Sequence, residues 1–125
     1  MPNAIVHFEI IGRDAPKLRE FYSAVFGWRF DTDSPVSPAV SDAGNYGFTT
    51  STVGDGVPGG VGGGPAFEPH CIIYIGVEDV EKALQDVVRL GGKRVFGPER
   101  SPGTSLVVGQ FTDPEGTLVG VAGSN

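Results

Sequence analysis

Two stretches decide how this chain folds: Ile5–Gly27, IVHFEIIGRDAPKLREFYSAVFG, and His70–Gly92, HCIIYIGVEDVEKALQDVVRLGG. Each opens with a short run rich in β-branched residues that carries one histidine, and such a run reads as a strand. Each then meets an aspartate, Asp14 or Asp79, whose carboxylate can accept from the unpaired N–H groups of a first helical turn. Pro16 is tolerated in that turn because the donor it lacks has no helical partner anyway. Leu18, Phe21, Tyr22 and Val25 recur at helical spacing, as do Val80, Ala83, Leu84, Val87 and Val88, which predicts an apolar stripe along each helix. Gly27 closes the first segment and Gly91–Gly92 the second, at the same distance from the capping aspartate. Glycine takes the left-handed cap without a Cβ penalty. A chain that repeats strand, cap, helix and glycine is expected to form two similar half-domains.

Working outward, the 125 residues suit a single domain. With 39% hydrophobic and 19% charged residues, the composition is that of a globular chain rather than a disordered or membrane one. No apolar run approaches the ~20 residues of a membrane span. The opening MPNAIVHFEI has no secretory pattern, so a cytoplasmic location is expected. The net charge of -6, with scattered lysines and arginines, argues against nucleic acid, which needs a clustered basic face. Lys93, Arg94 and Arg100 read as a solvated edge. Cys71 is the only cysteine, so there is no intramolecular disulfide, and it reads as a small buried strand residue.

Trp28 and Phe30 alternate with polar residues as in a half-buried strand, and Ser34 to Ala39, with two prolines, reads as a loop. Residues 46–53, YGFTTSTV, predict another strand. A weaker candidate lies around Gly60 to Gly64, where glycine lets another backbone or a ligand approach closely. KRVFG, TSLVVGQFT and TLVGVA then predict three strands, separated by the turns SPG and DPEG. Gly54, Gly56 and Gly59 match G-x-G-x-x-G, but no helix opens after them to offer its amides to a pyrophosphate. Ser23, Ser51, Ser101 and Ser105 lie in no nucleophile-elbow context. Trp28 and the phenylalanines read as core.

Alternation along a strand puts Ile5, His7, Glu9 and Ile11 on one face, and His70, Ile72, Tyr74 and Gly76 on one face of the second copy. The quoted segments, together with FYSAVFGW, YIGVEDVEKAL, LGGKRV, FTDPEGTLVGV and the glycine-rich GGVGGG, resemble the vicinal oxygen chelate superfamily. This family groups glyoxalases, bleomycin-resistance proteins and extradiol dioxygenases, and the chain looks closest to the branch related to lactoylglutathione lyase. The resemblance covers nearly the whole chain, residues 1–125 as one domain, with module one about 4–64 and module two about 69–123. It implies an α+β fold of two paired βαβββ modules forming curved mixed sheets around a cavity, and a homodimer. It further implies a divalent ion, Zn, Ni, Mn or Fe, in metal-dependent members. Carried over, the metal-ligand positions fall on His7, on His70 and, seven residues after Asp113, on Gly120, which has no donor to give. Glu9 could substitute as a ligand or serve as a base because it shares the face of His7. Gln110 falls where relatives place a polar group facing the cavity, and with Tyr46 and Tyr74 it is expected to line a small-molecule pocket.

Three readings stay open at this point. One is a glyoxalase- or bleomycin-resistance-like protein that binds a small organic molecule, with or without lyase or isomerase chemistry. The second is a metal-dependent enzyme using His7, His70 and Glu9. The third is an association module without a ligand. Gly120 favours the first over the second.

Overall fold

The computed structural model describes residues 2–50 and 56–124. The elements follow the doubled order: β1 (Ile5–Gly12), α1 (Ala15–Phe26), β2 (Phe30–Asp31), β3 (Gly47–Thr49) and β4 (Gly59–Gly63), then β5 (His70–Asp79), α2 (Val80–Arg89), β6 (Lys93–Arg100), β7 (Val107–Thr112) and β8 (Leu118–Ser124). This is α+β with the βαβββ order stated twice. The chain divides into two compact units, one running from His7 to Cys71 and the other made of the chain before and after it. Among the described residues no helix is long and apolar enough to cross a membrane.

Both helices start as their aspartates dictate. Asp14 Oδ1 accepts from Lys17 N at 3.2 Å, and Asp79 Oδ1 accepts from Lys82 N at 3.1 Å. Gly27 takes φ 74° at the end of α1. The second helix stops at Arg89 with Leu90 as its cap, and Gly91, at φ 103°, turns the chain beyond it.

In the unit from His7 to Cys71 the strands lie in the order β2-β3-β4-β1. The β1–β4 pairing is parallel with Glu9 opposite Gly60, and β3–β4 is antiparallel with Phe48 opposite Gly60. The expected 46–53 strand is described as β3 only, and its tail, with Ser51 and Gly54, lies outside the described residues. The weak glycine candidate is β4, buried along its whole length. Backbone does approach it closely, since a Cβ added at Gly63 would stand 2.0 Å from the Gly12 carbonyl oxygen, and side chains approach it as well. A Cβ added at Gly60 would stand 2.1 Å from the Tyr46 ring, and one at Gly59 2.1 Å from the Phe8 ring.

The helix α1 departs from its expected stripe. Phe21, Val25 and Phe26 are 56%, 55% and 61% exposed, and Ala15 is the buried residue of the helix. The reason is local. Tyr22 leaves the stripe to stack on Trp28, with centroids 5.3 Å apart and planes 13° from parallel, and Trp28 in turn packs against Phe8. Trp28 is thus a half-buried member of an aromatic cluster rather than core. Cys71 is exposed, not buried, because it lies on the β5 face opposite the buried Ile72.

In the other unit the order is β5-β8-β7-β6, with β5–β8 parallel and the remaining pairs antiparallel. Val80 and Leu84 of α2 pack with Val107 and Val121 in a buried cluster, against which Val77, Ala83 and Phe111 lie. Val88 is 54% exposed and falls outside that face. The turn after β7 closes where expected: Gly116 N donates to Asp113 O at 2.9 Å, and Asp113 Oδ1 accepts from the amides of Glu115 and Thr117. Arg94 of the expected solvated edge grips Glu81 of α2 with both guanidinium nitrogens, at 2.9 and 2.8 Å.

The close fit of Tyr46 over Gly60 gives a direct test. Gly60→Ala should destabilise the chain by roughly 1–3 kcal/mol in urea unfolding, the usual cost of overpacking a filled interior. The same change made in a Tyr46→Ala background should cost much less. Equal costs in both backgrounds would show that Tyr46 is not what fills the space.

Candidate functional site

The face of β1 predicted to carry His7 and Glu9 does so, and Tyr46, the residue just before β3, joins them. Its hydroxyl donates to Glu9 Oε1 at 3.0 Å and stands 2.9 Å from His7 Nε2. A phenol has one hydrogen, and here Glu9 receives it. With that hydrogen given to Glu9, the Tyr46 oxygen can accept from His7 when the imidazole carries its hydrogen on Nε2. Glu9 is 2% and Tyr46 3% exposed, while His7 keeps partial exposure. The rings of Phe8 and Phe48 flank His7, the latter at a centroid distance of 6.0 Å. In these surroundings desolvation pushes the imidazole down from its ordinary 6.5 to about 4. His7 is thus neutral at neutral pH.

How the ring of Tyr46 reaches this place follows from the sheet. It crosses β4 over Gly60 and Gly62, since Cβ atoms there would meet it at 2.1 and 2.7 Å. Bare glycine on one face of β4 leaves a gap between β3 and β1, and the tyrosine lies in it with its hydroxyl delivered to β1.

The other unit repeats the device with the direction reversed. Tyr74 starts on β5, the first strand, and its ring crosses β8 over Gly120, where a Cβ would stand 2.4 Å away. Its hydroxyl accepts from Gln110 Nε2 on β7 at 2.9 Å. The register places Tyr74 opposite Gly120 and Gly120 opposite Gln110, so the three share one row. Tyr74 and Gln110 are 2% and 6% exposed.

His70, the first residue of β5, is half-buried and donates from Nδ1 to the Glu68 carbonyl at 2.8 Å. It lines an apolar groove with Ile10, Leu18 and Phe21 beside α1. Among the described residues no group of three or more His, Cys, Asp or Glu side chains stands ready to hold a metal. A catalytic Zn- or Fe-type site retains about three protein ligands. Here His7, Glu9 and His70 form no such group among the described residues, and the volume next to position 120 is filled by the Tyr74 ring. The residues present do not fit the ion that the resemblance implies.

Sequence reading placed His7 with Glu9 and paired Gln110 with Tyr46 and Tyr74 as lining groups. It missed the bond from Tyr46 to both β1 residues, because no periodicity links residue 46 to β1. The signal that could have exposed it is the alternation of Gly60, Gly62 and Gly64, which strips one strand face and implies an occupant.

The depressed imidazole has a consequence for stability. The unfolded chain takes up a proton at about 6.5 while the folded chain resists it until about 4. Stability attached to His7 is therefore complete above about pH 6.5 and is lost as pH falls towards 4. A gap of this size corresponds to at most about 3 kcal/mol. Urea unfolding at pH 7 and pH 4.5 should show a smaller loss in His7→Gln than in the wild-type chain. Equal losses would assign the acid sensitivity to other groups.

Comparisons agree with this architecture. A search of curated proteins gives no match. A solved methylmalonyl-CoA epimerase in complex with methylmalonyl-CoA and NH4+ superposes with a TM-score of 0.68 at 18% identity, covering 99% of this chain and 96% of that one. A variant of Streptomyces coelicolor methylmalonyl-CoA epimerase in complex with 2-nitronate-propionyl-CoA gives 0.66 at 17% identity, covering 96% of each chain. A superfamily member from Vibrio splendidus gives 0.62 at 18%, covering 98% of this chain and 100% of that one. At such identities these likenesses speak for the fold alone. The family model for the Glyoxalase/Bleomycin resistance protein/Dioxygenase superfamily matches residues 4–121, and with the doubled βαβββ order this chain belongs to that superfamily.

Proposed function

We propose that this chain binds a small organic molecule against the sheet face that presents His7, and that it does so without a metal held by the protein. The observation that carries this reading is the Tyr46 hydroxyl in hydrogen-bond contact with both His7 and Glu9. A buried carboxylate, a phenol and a neutral imidazole on a face that also carries Phe48 combine apolar surface with few, well-placed polar groups, which is how small-molecule sites are built. Tyr74 and Gln110 form a second polar pair of this kind. The solved complexes of similar folds with methylmalonyl-CoA and 2-nitronate-propionyl-CoA support an organic ligand carrying a carbonyl or related polar group. Lyase or isomerase chemistry on that molecule is the activity this reading favours.

The metal-dependent alternative, with His7, His70 and Glu9 as ligands to Zn, Ni, Mn or Fe, needs these side chains to converge on one point, and among the described residues no such group of three stands together. Elemental analysis of protein purified without chelator should therefore find far less than one metal per chain, also after incubation with each of the four ions. Near-stoichiometric metal that disappears in both His7→Ala and His70→Ala would overturn the metal-free reading.

Methylmalonyl-CoA serves as a probe for the ligand site. Titrated into the chain and followed by NMR, it should shift the His7 ring and Tyr46 signals, and the shifts should saturate. Unmoved signals at both residues would remove the proposed binding face.

A further inference from the structure

A groove beside α1 takes no part in the cluster around Tyr46. It holds about 660 Å³, is walled by Ile10, Ile11, Leu18, Phe21, Tyr22 and Pro69, and is also lined by the charged residues Arg13, Asp14 and Lys17. Neither His7, Glu9 nor Tyr46 lines it, and every residue that does belongs to the unit from His7 to Cys71. Its size falls within the range of small-molecule pockets. We propose that this groove is a second binding site, for an amphipathic carboxylate whose apolar tail lies against the wall and whose charge meets Lys17. Such a site is separate from the β1 face and does not depend on it.

Local packing builds the wall. Leu18 reaches Gly12, where an added Cβ would stand 3.0 Å from its Cδ2. Tyr22 is drawn onto Trp28, and Phe21 meets Tyr22 edge-on, with centroids 5.1 Å apart and planes at 90°. Aromatic pairs favour that arrangement. Phe21 is thereby held in place although 56% of it is exposed. With Ile10 and Leu18, both partly exposed, it presents apolar surface to water inside a concavity. Covering such surface is favourable in proportion to its area, and an aliphatic tail would cover it.

The charged residues select the head group. Asp14 is turned onto its own helix, where Oδ1 accepts from Lys17 N at 3.2 Å. Arg13 is paired with Glu68 at 2.7 Å. The Lys17 ammonium forms no ion pair among the described residues, so it is the cation left over in the groove. One cation balances one negative charge. A carboxylate carries one, whereas a phosphate monoester carries nearly two, and Asp14 would oppose the second. Because an exposed ion pair contributes little by itself, the tail supplies most of the affinity and Lys17 sets the sign and orientation of the head.

The chain carries its own reporter. Cys71 is the only cysteine, is exposed and lines the groove, so the rate of its alkylation by iodoacetamide reads occupancy. Decanoate, kept below its micelle concentration, should slow alkylation of the whole chain to a saturating limit, and butyrate should not. Lys17→Gln should weaken decanoate by ~2- to 5-fold, the range of an exposed ion pair, while leaving decanol unchanged. Phe21→Ala should weaken both. Both residues are exposed, so neither change threatens the fold. In NMR, decanoate should shift the signals of Phe21 and Cys71 and leave those of His7 and Tyr46 in place. No protection by decanoate, or equal effects of Lys17→Gln on decanoate and decanol, overturns the site. Shifts at His7 and Tyr46 instead of Phe21 and Cys71 place the probe on the β1 face and overturn it as well. Alkylation that slows with protein concentration alone shows a second copy covering the groove, which also overturns it. None of these outcomes bears on the binding of methylmalonyl-CoA at the β1 face, which its own titration decides.

Discussion

A tyrosine ring laid across glycine is the contact on which both polar pairs depend. In one unit Tyr46 crosses Gly60 and Gly62 of β4, and in the other Tyr74 crosses Gly120 of β8. A sheet spaces its strands about 4.8 Å apart. A side chain that must place its hydroxyl one or two strands away therefore has to run along the sheet surface, which is open only where the intervening residue has no Cβ. Glycine weakens a strand by removing side-chain packing and by its entropy. The tyrosine ring restores the lost contact area, and its hydroxyl reaches a partner that strand pairing alone could not supply.

The electrostatics follow from this packing. A carboxylate as buried as Glu9 costs several kcal/mol unless it is hydrogen-bonded, and Tyr46 supplies one of its bonds. The same ring, with Phe8 and Phe48, keeps water from His7 and holds it neutral. No buried side-chain nitrogen or oxygen among the described residues lacks a hydrogen-bond partner. Satisfaction of this kind makes the cluster rigid.

Much of the fold was legible because strands and helices leave periodic marks. Asp14 and Asp79 announced two helix starts, DPEG announced a turn, and the face shared by His7 and Glu9 followed from alternation. The assembly of the site was less legible. Tyr46 reaches β1 across a strand of nearly pure glycine, and neither hydropathy nor propensity encodes which ring fills such a space. The stripe of α1 misled for a related reason: Tyr22 and Trp28 satisfy each other, so Phe21 and Val25 stay exposed although their spacing suits burial. Cys71 followed apolar preference in the sequence reading, whereas the strand's alternation placed it outside.

Gly120 shows why a missing donor should be read together with what occupies its place. Counted alone, glycine at a metal-ligand position is a loss, and restoring a carboxylate would seem to repair it. In the folded chain the space beside Gly120 belongs to Tyr74, whose hydroxyl is held by Gln110 from the next strand. A longer side chain at 120 would first have to displace a buried ring that leaves a hydrogen-bonding amide behind, and an amide left unpaired in the interior costs about 1–3 kcal/mol. The glycine, the tyrosine and the glutamine are therefore one feature distributed over β8, β5 and β7. Tyr46 with Gly60 and Glu9 is its counterpart in the other unit. A chain that builds the same polar bridge twice, each time at the cost of side chains on the intervening strand, has organised these faces around hydrogen-bonding side chains that tyrosine rings hold in place.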